Sequence, residues 1–88
     1  MFVDFSQPVM LARREPPSEA ERCYDLGITC SSRTCQRDLV EAHKWFNLAA
    51  HRGDPRGAEA RTWVAEEMTR DQIAEAQRRA RVCIRNAA

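Results

Sequence analysis

The side chains in this sequence that could do chemistry are four cysteines, two histidines and a surplus of arginine. Cys23, Cys30, Cys35 and Cys83 never form a C-x-x-C, so the usual opening of a zinc site is missing. Cys23 and Cys30 fall two turns apart on one helical face. The simpler reading makes Cys23 and Cys83 small buried hydrophobes. A Cys30–Cys35 loop disulfide or a metal site is the alternative. His43 and His51 share roughly one helix face and could join Cys30 or Cys35 as ligands. A core-edge histidine and a helix-terminal histidine account for both more simply. Glu66 and Glu67 look like a carboxylate pair, but neighbours on a helix point about 100° apart, so a solvated face is expected. No Ser-His-Asp set and no glycine-rich phosphate loop can be assembled. The expectation is therefore a protein that is not an enzyme and has neither cofactor nor bound metal.

Arginine is the stronger signal. Lys+Arg is 14 and only Lys44 is lysine. Arg78, Arg79, Arg81 and Arg85 crowd one helix end, which complements the helix dipole. They also suit an acidic protein surface or RNA, because the planar guanidinium bonds carboxylate and phosphate bidentately. No aromatics interleave with them, which disfavours single-stranded RNA. Asp+Glu is 13, so the net charge is only +1. That balance argues against a general nucleic-acid coat or a polybasic membrane binder. Hydrophobic residues at 43% and charged residues at 31% make a globular mixture. No apolar run approaches the roughly 20 residues of a membrane span. Met1-Phe2-Val3-Asp4-Phe5 has no basic flank and an early acid, unlike a secretory leader. A cytoplasmic setting with reduced thiols is expected.

These side chains need elements to position them. Eighty-eight residues allow one small domain, whose core is marginal unless helices pack tightly or a partner covers a face. Residues 1–17 carry Pro8, Pro16 and Pro17 beside Phe2, Val3, Phe5, Val9, Met10 and Leu11, and read as an extended apolar arm. Ser18-x-x-Glu21 is a capping box, followed by Ala20, Cys23, Tyr24 and Gly27 at helical spacing. Asp38 caps the next helix, where Leu39, Ala42, His43, Phe46, Ala49 and Ala50 line one face. Trp45 borders that face. Gly53 stops it, and Asp54-Pro55 starts a third helix with Ala58, Trp63, Val64 and Ala65. Thr69-x-x-Gln72 opens a fourth, striped with Ile73, Ala76, Ala80, Cys83 and Ile84. The pattern predicts an all-α domain over 18–88, with helices near 18–30, 38–52, 55–67 and 69–86 in an antiparallel array. Val40, Leu48 and Val82 fall off the stripes and are expected to stay exposed.

The stretch Asp38-Leu-Val-Glu-Ala-His-Lys-Trp-Phe-Asn-Leu-Ala-Ala-His-Arg-Gly53 resembles the second helix of a Sel-one-like repeat, a tetratricopeptide-like α/α repeat. The matching positions are Ala42, Trp45, Phe46, Ala49, Ala50, Gly53 and Ala58. Tyr24-Asp-Leu-Gly27 matches the first-helix signature of that family. Residues 68–80 look like the closing helix of small bacterial members. The resemblance covers residues 20 to 85. Cys30-Ser-Ser-Arg-Thr-Cys35 stands where family members usually carry a Gly-x-Gly-like turn. The resemblance implies an antiparallel α/α repeat fold, with Trp45 and Phe46 wedged between repeats and no chemistry of its own.

Solenoids bury their faces with about three repeats, and this chain holds one full repeat plus a closing helix. Either the arm or another chain must supply the missing neighbour. The expected function is a protein–protein interaction module, an adaptor or accessory subunit of a larger bacterial complex. Phe2, Phe5, Met10 and Leu11 are its expected apolar contacts, and Arg78, Arg79, Arg81 and Arg85 its charged rim. The partner is another protein or complex, or a second copy of the chain. A nucleic-acid-binding regulator acting through the arginine-rich fourth helix is the alternative, as is a Cys/His metal or redox module.

Overall fold

Ser18 begins the first helix. Its hydroxyl accepts from the Glu21 amide at 3.1 Å, while the Glu21 carboxylate accepts from the Ser18 amide at 2.9 Å. The computed structural model describes residues 15–32 and 38–87. Phe2, Phe5, Met10, Leu11 and Cys35 lie outside the described residues, as does the path of the arm before Glu15. Helix α1 runs Glu19–Ser31. Asp38 caps α2, Leu39–His51, by accepting from the Glu41 amide at 3.1 Å. Gly53 ends it with φ 106°, a conformation costly to a residue with a Cβ. Asp54 caps α3, Pro55–Ala65, with proline at its start. Thr69 and Gln72 exchange hydrogen bonds ahead of α4, Arg70–Ala87. No strand occurs among the described residues, and the fold is all-α with four helices.

Helix α2 is the hub, since α1, α3 and α4 all pack on it while α3 and α4 scarcely touch. Glu19, opening α1, pairs with Arg52 beyond the end of α2, and the Asp38 amide before α2 bonds the Cys30 carbonyl late in α1. Those two helices are therefore antiparallel. Gly57, early in α3, sits on Ala50, and Val64, late in α3, joins Ala42. That pair is antiparallel too. One cluster holds Ala42, Phe46, Ala60 and Val64, with Tyr24, Leu39 and Met68 against it. The other holds Cys23, Leu48, Ala49 and Ala80, with Trp45, Cys83 and Ile84 against it.

Ala42, Phe46 and Ala49 are fully buried, as the stripe predicts. Ala50 and Ala58 are half-buried. Trp45 and Phe46 go to different clusters, because successive helical residues diverge by about 100°. Leu48 corrects an expectation. It is 1% exposed instead of solvent-facing, since α4 covers a second face of α2. Val40 and Val82 are half-buried, not open. A methyl group on Gly27 would stand 2.5 Å from the Phe46 ring, so the missing side chain lets α1 close onto that ring.

Candidate functional site

The arginines of α4 divide into two pairs. Arg78 grips Glu75 through two bonds, at 3.0 and 2.6 Å. Arg79 bonds Glu75 at 2.8 Å and crosses to Glu41 of α2 at 2.7 Å. Lys44 adds an ion pair with Glu41 at 2.9 Å. Both arginines of this pair therefore have carboxylate partners within the molecule, although the Arg78 side chain stays 59% exposed. Arg81 and Arg85 are exposed and make no ion pair among the described residues. Hydrogen bonds from Arg78 and Arg79 hold the Glu75 carboxyl down to about 2. Burial pushes the Glu41 carboxyl up, but Lys44 and Arg79 outweigh it and leave it below its ordinary value.

Among the described residues, the candidate metal ligands do not converge. His43 is 2% exposed, well inside the edge position expected, and its Nδ1 has no hydrogen-bond partner. Burial, then the nearby Arg61 charge, holds it below the ordinary histidine value and favours the neutral ring. His51 is exposed one turn past the buried stretch. Cys23 is buried and Cys83 half-buried, both as thiols. The Arg52 guanidinium donates to Cys23 Sγ at 3.7 Å. Cys30 packs against the Phe46 cluster, and its proposed pairing with Cys35 falls outside the described residues. Among the described residues, no three of His, Cys, Asp and Glu come together to hold a metal ion. No helix there is long and apolar enough to cross a membrane.

A groove lies elsewhere, between α1 and α3. It encloses about 690 Å³ and is lined by Tyr24, Arg56, Glu59, Ala60, Thr62, Trp63 and Glu66. The Tyr24 ring meets the buried Phe46 ring at 5.6 Å between centroids. Arg56 lies over Tyr24 at 4.0 Å and forks onto the buried Asp54 carboxylate at 3.0 and 2.7 Å. That fork keeps Asp54 below the ordinary carboxylate value. Trp63 is 61% exposed, beyond Leu26 at 43% and Ile28 at 40%. Glu59 and Glu66 make no ion pair among the described residues. The groove offers an aromatic face and carboxylates but no nucleophile paired with a base. It can hold a ligand by stacking and charge.

Sequence reasoning placed Trp63 on the third helix without assigning it a role. The available signal was Glu59-x-x-Thr62-Trp63-x-x-Glu66, a tryptophan bracketed by acids along one helical face. Gly57 was missed as well. A Cβ there would stand 2.6 Å from the Ala50 nitrogen and the Phe46 carbonyl oxygen, so α3 lies directly on the α2 backbone. No family model, curated protein or solved structure matches this chain.

Proposed function

We propose that this protein is a non-catalytic docking module, an adaptor or accessory subunit of a larger cytoplasmic complex, built as one Sel-one-like α/α repeat with a closing helix. The observation that carries the reading is Trp63. A large apolar ring at 61% exposure, set in a groove whose Tyr24 ring packs on buried Phe46, is the kind of anchor that dominates protein interfaces. The repeat-like residues support it: Ala42 and Ala49 are buried where helices close on one another, and Gly27 meets the Phe46 ring. Arg78, Arg79, Arg81 and Arg85 would form the charged rim toward an acidic surface, and Arg81 and Arg85 are exposed without an ion pair among the described residues. Phe2, Phe5, Met10 and Leu11 would add apolar contacts from the arm.

The test is capture of the partner from the native host with the tagged full chain and with Trp63→Ala. The exposed ring contributes little to the core, so the variant should keep the wild-type helical signal and melting temperature. It should lose the partner. Equal recovery of the same partner by both proteins would remove the groove from the interface. Recovery of RNA or DNA alone would replace the reading with that of a regulator.

A further inference from the structure

The groove also carries information about what would sit in it, and the inference rests on the docking reading above. Its aromatic rings are not equivalent. Tyr24 already has a guanidinium on it, that of Arg56, whose charge is matched by the Asp54 carboxylate. Among the described residues, cations stand over Trp45 and Tyr24, and none over Trp63. Trp63 lies four residues after Glu59 and three before Glu66, spacings that make all three neighbours along one helical face. All three line the groove. With Arg56 matched by Asp54, the charged residues left lining the groove are Glu59 and Glu66. The indole face attracts cations more strongly than other aromatic rings do. Flanking carboxylates add charge-assisted bonds that a planar guanidinium makes two at a time. The same carboxylates repel phosphate, which sets nucleic acid and phosphopeptides against this face.

We propose that the α1–α3 groove is a recognition site for a basic segment of a partner protein, seating an arginine side chain on Trp63 between Glu59 and Glu66. The module would thus use an acidic, aromatic slot on α3, while Arg81 and Arg85 lie on α4, which packs on another face of the hub helix.

The test is a binding titration of the full chain, followed by calorimetry, with three synthetic peptides of equal length. One repeats arginine among serines and glycines, one has glutamine at those positions and one has glutamate. The arginine peptide should bind, weaken with added salt, and outbind the other two by about tenfold or more. Glu59→Gln with Glu66→Gln should cost about tenfold for that peptide alone, and Trp63→Ala should abolish binding. Circular dichroism and melting of each variant should match wild type, since all three side chains are exposed. Equal binding of the arginine and glutamine peptides, unchanged affinity in the double glutamine variant, or no binding of the arginine peptide would overturn the cation site. Peptide binding that ignores charge yet is lost in Trp63→Ala would overturn it while leaving the docking reading standing. Self-association of the wild type, lost in Trp63→Ala, would make the occupant a second copy and overturn a separate partner.

Discussion

Phe46 is the point at which α1, α2 and α3 meet, with no exposed surface and Gly27 closed against its ring. Phe46→Ala should destabilise by about 3–5 kcal/mol, the usual cost of emptying a packed aromatic site, and chemical denaturation would measure it. Gly57→Ala tests the opposite fault. The added methyl meets backbone atoms, which cannot swing aside, so a loss of roughly 1–3 kcal/mol is expected. His43 adds a pH dependence. Its folded form is pushed below the ordinary value of 6.5, so the unfolded chain binds the proton more readily. The stability it allows is complete above about 6.5 and falls as pH drops toward its folded value. His43→Phe should flatten that slope below about pH 6.5, and denaturation midpoints at matched pH would show it. Phe46 was legible because it centres an apolar stripe. Trp63 was not, because periodicity says which face is apolar, not whether a neighbour lies above it.

Local chemistry within twenty residues writes most of the elements. Ser18 with Glu21, Asp38, Asp54 with Pro55, and Thr69 with Gln72 each satisfy amides that a helix start leaves open, and each stands within a residue or two of the expected boundary. What the sequence did not disclose is which face of α2 each helix takes. The stripe on α4 announced that Ala80, Cys83 and Ile84 would be covered, but nothing local named Leu48 as part of the covering surface. Arg79 is the polar counterpart of that packing, joining α4 to α2 through Glu41, whereas Arg78 stays within its own helix. Arg79→Gln should therefore lower the melting temperature more than Arg78→Gln. An isolated surface pair on one helix is worth little, and a cross-helix tie inside a network is worth more. Equal melting temperatures would show that apolar packing alone holds α4. Asp54→Ala should cost about 1 kcal/mol as a lost cap, and it would also release Arg56 from its charge partner over the groove.

Across the whole molecule, α3 and α4 lie on different faces of α2, and the charges proposed to meet a partner on each have opposite signs. Glu59 and Glu66 bracket Trp63 on one, while Arg81 and Arg85 project from the other. The near-zero net charge conceals that separation, which is why composition pointed only to a balanced surface. Exposed charges act mainly during approach, whereas a stacked ring acts mainly on dissociation. Arg81→Glu with Arg85→Glu should therefore slow association with the captured partner at low salt and leave the dissociation rate nearly unchanged. The gap from wild type should close as salt rises, because the screening length shrinks from about 10 Å at 0.1 M to about 3 Å at 1 M. Trp63→Ala should do the reverse, raising the dissociation rate at every salt concentration. Surface-immobilised partner and rate measurements over a salt series separate the two. A dissociation rate raised by the arginine reversals would place α4 inside the interface, in direct contact, and end its assignment as a steering rim.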